Sequence, residues 1–292
     1  MVSTRIIKRI LLSTVIASVA LLIASSSYAY AQIPSNGLTV APLRTKPTLK
    51  PGDTEPAKIT LTNQDTKVQQ VTISVQRFNT VNESYDYKFE DDPSTAWIRF
   101  PETQVSVNAG QKLELPYSIA VPNNASPGGY YFAVFASVDS NSGTESLKET
   151  KRVGSLIYLE VSGQVVKKGT VSSFDLPYIS FSKQVPISIR LANQGNTHFD
   201  ADVRFAVGGN EQEGAALKGL LLPGTVRRLD GSIMMPRLPG LYRVTARYSS
   251  NGTSTETTSS VILYAPYWSI AAAVLIVIGL IFYIARRKKR KF

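Results

Sequence analysis

Residues 109–135 read AGQKLELPYSIAVPNNASPGGYYFAVF, and the two halves of this stretch carry different hydrophobic patterns. In the first half, Leu113, Leu115 and Tyr117 recur at every second position, which is the period of a strand with one buried face. The second half ends in an apolar run from Tyr130 to Phe135, which is typical of a central strand covered on both faces. A Pro-Gly-Gly turn signal separates the halves. The stretch therefore predicts two strands of a β-sheet.

The same alternation recurs through the body of the chain, from residue 32 to 263, where helical periodicity is almost absent. Turn signals containing Pro and Gly interrupt it at short intervals. Many short alternating strands joined by such turns indicate antiparallel β-sandwiches. The other clearly alternating runs are 58–62, 71–76, 187–191 and 242–249.

An internal repeat divides this body into two parts. The segment KITLTNQDT at 58–66 is similar to SIRLANQGNT at 188–197, and a Pro-Gly-x-Tyr unit ends first at Tyr130 and again at Tyr242. These two tyrosines occupy the place of the tyrosine corner of immunoglobulin-type sandwiches, so we predict a structural role for them. The fold class is all-β: two tandem immunoglobulin-like antiparallel β-sandwiches, spanning 34–163 and 169–263.

The N-terminus predicts export. Basic residues at 5–9 precede an apolar stretch, and Ala29-Tyr30-Ala31 fits the small-x-small cleavage rule, so residues 1–31 are predicted to be a signal peptide. The alternative is an uncleaved N-terminal anchor.

The C-terminus predicts a membrane anchor. Residues 264–285 form a predicted transmembrane helix that starts with interfacial aromatic residues and holds no charge. Residues 286–292 form a basic tail that should stay in the cytoplasm. The chain is therefore expected to cross the cell membrane once, with both sandwiches outside.

Charge and composition exclude several classes of function. The chain has 32 Lys and Arg against 21 Asp and Glu, but nine of the eleven excess positive charges lie in the two terminal segments. The body is nearly neutral, which argues against nucleic acid as a partner. There is no Cys and one His, which excludes thiol catalysis and metal centres built from Cys or several His residues. We expect no cofactor, no metal and no catalytic residue.

Aromatic residues alternate with charges in one segment, which makes it the candidate binding surface. Tyr85, Tyr87 and Phe89 precede Trp97, and such patterns occur in surfaces that recognise glycans and proteins. The alternative is structural: the first three rings would face the core, and Trp97 would close one end of a sandwich. The acidic residues within 86–92 could hold Ca²⁺ weakly, although a solvated hairpin tip explains them as well.

Residues 97–137 resemble the N-terminal domain of bacterial WxL-interacting surface proteins. The shared parts are an aromatic residue followed by a strand, an Ala-Gly-Gln turn at 109–111, Val121-Pro122, and the Pro-x-Gly-Tyr-Tyr unit at 127–131. The Leu-Lys-Pro-Gly segment at 49–52 and the order of the segments along the chain are also similar. The resemblance implies a non-catalytic surface adaptor that contacts peptidoglycan and partner surface proteins.

The leading hypothesis is thus a membrane-anchored adaptor that docks cell-surface proteins or peptidoglycan on an exposed sheet face or edge. One alternative is an envelope glycan hydrolase, or a subunit accessory to one, which needs two carboxylates about 5–10 Å apart in a groove. The other is an assembly chaperone that donates or accepts strands, which needs an open, apolar sheet edge.

Overall fold

The computed structural model describes residues 37–140, 149–212, 215–250 and 253–289. Within these ranges the chain forms two β-sandwiches in tandem, followed by one helix, which confirms the predicted fold class for this part of the chain. The predicted signal peptide at 1–31 lies outside the described residues and stays a prediction.

The first sandwich consists of a four-stranded sheet, in the order β1-β4-β9-β7, and a seven-stranded sheet, in the order β2-β11-β10-β5-β6 with β3 added to β11 and β8 added to β5. A 3₁₀ turn, Pro93–Trp97, lies between β6 and β7. The strands are β1 (Leu38–Ala41), β2 (Arg44–Thr45), β3 (Thr48–Leu49), β4 (Thr54–Asn63), β5 (Gln69–Thr80), β6 (Tyr87–Glu90), β7 (Ile98–Arg99), β8 (Gln104–Val107), β9 (Lys112–Ala120), β10 (Gly128–Ser140) and β11 (Glu149–Val161).

The second sandwich repeats this plan with a three-stranded sheet, β12-β14-β18, and a six-stranded sheet, β13-β20-β19-β15-β16, to which β17 is added beside β15. Its strands are β12 (Gly169–Asp175), β13 (Ile179–Ser180), β14 (Gln184–Asn193), β15 (Phe199–Val207), β16 (Asn210–Glu211), β17 (Leu217–Leu221), β18 (Val226–Met234), β19 (Gly240–Ser250) and β20 (Thr253–Tyr264).

The apolar run from Tyr130 to Phe135 lies in β10, between β11 and β5, as its sequence predicts. On one face, Phe132 belongs to the core between the two sheets of the first sandwich. On the other face, Tyr131 and Phe135 belong to a separate apolar cluster that includes Leu220 and Leu222 of the second sandwich. Because both faces of β10 are covered, the strand needs apolar side chains in both directions.

The repeated asparagine is the last residue of β4 and of β14, and it is buried in both sandwiches. The side-chain nitrogen of Asn63 donates to the carbonyls of Lys67, Val107 and Asn108 at 2.8–3.1 Å. The side-chain nitrogen of Asn193 donates to the carbonyls of Thr197 and Leu221 at 2.8 and 3.1 Å. Both side chains are buried and satisfied, so the repeat reflects a shared way of closing a turn.

The repeated tyrosines form the predicted corners. The hydroxyl of Tyr130 donates to the carbonyl of Ser126 at 3.1 Å, and the hydroxyl of Tyr242 donates to the carbonyl of Leu238 at 3.0 Å. Each bond joins a tyrosine at the start of a strand to the residue four positions upstream, which fixes the entry of the chain into β10 and β19.

The helix α1 (Tyr267–Lys289) follows the second sandwich. Its segment Tyr267–Ile284 has a mean hydropathy of 2.3, holds 18 residues and buries none of them against the protein. At about 1.5 Å rise per residue this segment is about 27 Å long, close to the thickness of a bilayer's hydrocarbon core. By length and composition, this helix can cross a membrane.

Candidate functional site: an aromatic interface and an open sheet edge

Three of the four predicted binding residues lie on the β5–β6 hairpin. Tyr87 and Phe89 are on β6, and Tyr85 lies in the preceding turn with a backbone φ of +66°. This turn is held by its own bonds: the amide of Tyr85 donates to the carbonyl of Asn82 at 3.1 Å, and the amide of Val81 donates to the carbonyl of Asp86 at 3.0 Å. The left-handed backbone conformation of Tyr85 is part of this tight turn.

Tyr85 is buried between the two sandwiches. Its hydroxyl accepts a hydrogen bond from the amide of Leu222 at 2.8 Å and lies 2.6 Å from the hydroxyl of Thr225. The Thr225 hydroxyl itself donates to the carbonyl of Leu222, so the Tyr85 hydroxyl is the donor to Thr225. The guanidinium of Arg227 lies 4.3 Å from the centre of the Tyr85 ring, and burial raises the pKa of the hydroxyl. The ring therefore fastens the two sandwiches together.

Glu83, in the same turn, makes two further contacts with the second sandwich. Its carbonyl accepts from the amide of Arg228 at 2.8 Å, on the outer side of β18. Its carboxylate accepts from Nε of Arg190 at 2.7 Å. The turn thus covers part of an edge strand of the three-stranded sheet, which protects that edge from pairing with another chain.

Tyr87 and Phe89 lie in an aromatic cluster on the outer face of the seven-stranded sheet. The ring of Phe78 lies 5.2 Å from Tyr87 and 5.3 Å from Tyr158, both edge to face. Phe89 packs edge to face on Phe135 at 4.9 Å. Tyr87 is 37% exposed and Phe89 is half-buried, so these two rings keep the accessibility that the predicted binding role needs.

Trp97 ends the 3₁₀ turn and lies apart from the hairpin rings. Its ring lies 4.5 Å from that of Tyr130 and 6.1 Å from that of Phe132, and it packs against the core of the first sandwich. The structure therefore groups three of the four predicted residues and places the fourth elsewhere. Their role in binding stays a prediction.

The acidic residues between 86 and 92 are engaged within the protein. Asp92 caps the 3₁₀ turn by accepting from the amide of Ser94 at 2.8 Å. The hydrogen bond from the Ser94 hydroxyl, and then the bond from its amide, lower the pKa of the Asp92 carboxyl. Asp91 accepts from Gln76 at 3.0 Å, and Asp86 accepts from Asn82 at 2.7 Å. Among the described residues, no group of three or more His, Asp or Glu side chains could hold a metal ion.

His198 lies in the contact between the sandwiches. Its ring is 5.6 Å from the rings of both Tyr131 and Tyr158, and Nδ1 lies 3.5 Å from the Tyr131 hydroxyl. Burial lowers the pKa of His198 to about 4, so the ring is neutral at pH 7. Nothing in the sequence around His198 indicates this position, because its neighbours come from strands of the other sandwich.

A second feature of the first sandwich is the outer edge of β9. The amide of Asn63 donates to the carbonyl of Gln111, so the alternation of an antiparallel ladder directs the backbone groups of Lys112, Glu114 and Pro116 away from β4. On that outer side, β7 pairs with β9 only at Ile119 and Ser118. From Lys112 to Pro116, no strand among the described residues pairs with it.

A cleft of about 460 Å³ adjoins this edge, between β9 and β8. Val105, Leu113 and Leu115 form its apolar floor, and its rim carries exposed polar residues that include Glu102 and Glu114. Pro116 has no amide proton to offer, which leaves its carbonyl and the full backbone of Lys112 and Glu114 as bonding groups on the edge. The cleft and the unpaired backbone together have the form of a site for an added strand.

The sequence matches no protein-family model and no curated protein. Among solved structures, it is similar to the class 5 fimbriae chaperone CfaA, with a TM-score of 0.39 and 13% identity over 79% of this chain and 100% of that one. For the E. coli chaperone DraB the TM-score is 0.37, with 14% identity over 77% and 96% of the two chains. For a chain of the Salmonella enterica SafA pilin complex with the SafB chaperone, the TM-score is 0.38, with 13% identity over 77% and 96%.

Proposed function

We propose that this chain is a membrane-anchored, non-catalytic binding protein that accepts an extended segment of a partner protein at the outer edge of β9. The observation that carries the proposal is the position of the unpaired backbone of Glu114 beside an apolar cleft. The partner is a protein exposed at the same cell surface.

Strand addition uses both parts of this site. Backbone groups of the added strand pair with those of Glu114, Lys112 and the Pro116 carbonyl, which contributes affinity. Every second side chain of the added strand then points toward Val105 and Leu115, so an alternating apolar segment fits best. The charged rim and Pro116 limit pairing with unsuitable chains.

This proposal joins the adaptor hypothesis to the strand-accepting alternative. An open, apolar edge is the feature that an assembly chaperone would need, and an adaptor could use the same edge to hold a finished partner. Membership in the WxL-interacting family and binding of peptidoglycan stay predictions.

The hydrolase alternative has less support from the cleft. Glu102 and Glu114 both line it, but the Glu114 carboxylate forms an ion pair with Lys58 at 2.9 Å and its side chain is 60% exposed. A general acid of a glycosidase lies in a buried, apolar environment, and the Glu114 carboxylate is instead exposed beside an ammonium group.

Two features support the proposal that the chain is anchored in the membrane with its sandwiches outside the cell: the helix α1 and the basic residues that follow it. The apolar segment Tyr267–Ile284 is long enough to span, and basic residues follow it up to 291. The positive-inside preference then leaves the sandwiches on the opposite side of the membrane from this tail.

A matched pair of variants tests strand addition. Glu114→Pro removes the outward amide without touching the bonds to β4, whereas Glu114→Ala removes the same charge and keeps the amide. We would select 12-residue peptides from a displayed library on the full chain in detergent micelles, and then measure their affinities for both variants by fluorescence anisotropy.

We expect selected peptides to alternate apolar and polar residues, to bind Glu114→Ala about as well as the unmodified chain, and to bind Glu114→Pro at least tenfold more weakly. Circular dichroism and a thermal melt would check that the proline variant is folded. Equal binding by both variants, or selection of no alternating peptide, would refute the proposal.

A further inference from the structure

The end of the second sandwich from which the helix emerges carries a collar of exposed apolar side chains. Its most exposed members are Tyr178, Leu241 and Leu238, at 86%, 73% and 67% of full exposure. Soluble surfaces rarely gather so many large apolar groups in one place, and such a patch usually marks an interaction site. The collar consists of Tyr178, Ile179, Phe181, Leu238, Leu241 and Leu263.

Pairing between strands gathers these residues at the root of α1. Ile179 on β13 and Leu241 on β19 both lie opposite Leu263 on β20, which ends one residue later. The ring of Phe181 lies 5.7 Å from that of Tyr267, the first residue of the helix.

The connection between sandwich and helix is short and bonded at both ends. Only Ala265 and Pro266 separate β20 from α1. The amide of Ala265 donates to the carbonyl of Ser180 at 3.0 Å, and the Ser269 hydroxyl donates to the carbonyl of Pro266 at 2.7 Å. A helix inserted in a bilayer therefore holds the collar beside the bilayer surface.

Two cations accompany the apolar groups. A cavity of about 520 Å³ at the helix root is lined by Lys183, Arg237 and Leu238 together with Tyr267 and Trp268, and its lining contains no acidic residue. Long basic side chains and amphipathic rings are the groups that favour the boundary between lipid headgroups and acyl chains. Basic groups there also attract anionic lipids.

We propose that the collar lies in the headgroup region of the membrane and that Lys183 and Arg237 bind the phosphate groups of anionic phospholipids. This inference rests on the proposed membrane anchoring and adds a second, peripheral contact to the span. It gives the second sandwich a defined orientation on the bilayer.

The absence of Cys from the chain makes site-specific labelling direct. Single variants Leu238→Cys and Leu241→Cys report on the collar, Leu43→Cys is a control on the first sandwich with 70% exposure, and Ile276→Cys reports on the helix. Each full-length variant would carry a bimane label in vesicles of phosphatidylcholine, with or without 30% phosphatidylglycerol. Nitroxide lipids labelled in the headgroup or the acyl chain would serve as quenchers.

We expect headgroup nitroxides to quench the label at 238 and at 241 at least threefold more than at 43, and acyl-chain nitroxides to quench the label at 276. Phosphatidylglycerol should increase quenching at 241, and the double substitution Lys183→Gln with Arg237→Gln should abolish that increase.

If the labels at 238 and 241 are quenched no more than the label at 43, while the label at 276 is quenched, the collar does not lie in the headgroup region. That result would leave the proposed membrane anchor intact. An unquenched label at 276 would overturn the anchor itself. Disulfide-linked dimers of the unlabelled Leu238→Cys variant, together with no quenching by lipid in the labelled one, would identify a second copy of the chain as the occupant and reject the membrane. An unchanged response to phosphatidylglycerol would reject the phosphate contact.

Discussion

Removing one hydroxyl should weaken the attachment between the two sandwiches. In Tyr85→Phe the ring stays, but the amide of Leu222 loses its acceptor at 2.8 Å and Thr225 loses a donor. Leu222 is buried, so water does not readily replace the lost acceptor, and an unsatisfied buried donor costs about 1–3 kcal/mol. We therefore expect the free energy of unfolding to fall by about 2 kcal/mol.

Urea denaturation can measure this loss, because one of the two tryptophans reports on the first sandwich. In a Trp268→Phe background, the fluorescence of Trp97 follows that sandwich alone. With a urea slope of about 2 kcal/mol/M, the midpoint should fall by about 1 M. Tyr178→Phe, which removes a hydroxyl from a side chain that is 86% exposed, is the control and should leave the midpoint unchanged. A Tyr85→Phe midpoint equal to that of the control would show that Tyr85 does not couple the sandwiches.

Three further predictions concern the packing. Asn63→Ala and Asn193→Ala should each lower the free energy of unfolding by about 2–4 kcal/mol, because each leaves backbone carbonyls without their donor. Chemical denaturation would measure this loss, and near-neutral effects would contradict the structural role of the two asparagines. Because burial lowers the pKa of His198 to about 4, the unfolded chain binds a proton more readily between pH 6.5 and 4. The contribution of neutral His198 to the free energy of unfolding is therefore complete above pH 6.5, and about 3 kcal/mol of it is lost as the pH falls from 6.5 to 4. The variant His198→Gln should flatten this pH dependence, and an unchanged profile would refute the prediction. Gly154→Ala should destabilise the chain by about 1–3 kcal/mol, because its new Cβ would lie 2.9 Å from the Phe135 ring. A melting temperature equal to that of the unmodified chain would contradict this prediction.

The sequence by itself determined the strands and the repeated devices. Alternation with a period of two depends on neighbours along the chain, so β9, β14 and β19 could be predicted from their own residues. The repeated Asn and Tyr positions had the same local basis, because Tyr130 bonds to a residue four positions away. The helix α1 was likewise predictable from eighteen consecutive uncharged and mostly apolar residues.

The sequence also showed that β10 is apolar on both faces, without showing what covers the second face. The covering residues include Leu220 and Leu222, almost ninety positions further along the chain. The same limit applies to the aromatic segment. The pattern did not show that Tyr85 differs from the other aromatic residues of the segment. In the structure, Tyr85 is buried between the two sandwiches and bonded to Leu222, whereas Tyr87 is accessible.

Only the tertiary structure decided where the open edge and the collar lie. The edge of β9 is unpaired because β7 is two residues long and because β8 joins the opposite sheet, and neither fact follows from the residues of β9. The collar exists because β13 and the start of β19 both pair with the end of β20 beside the helix. Local periodicity specifies each strand, but the pairing of distant strands specifies which edges and side chains stay exposed.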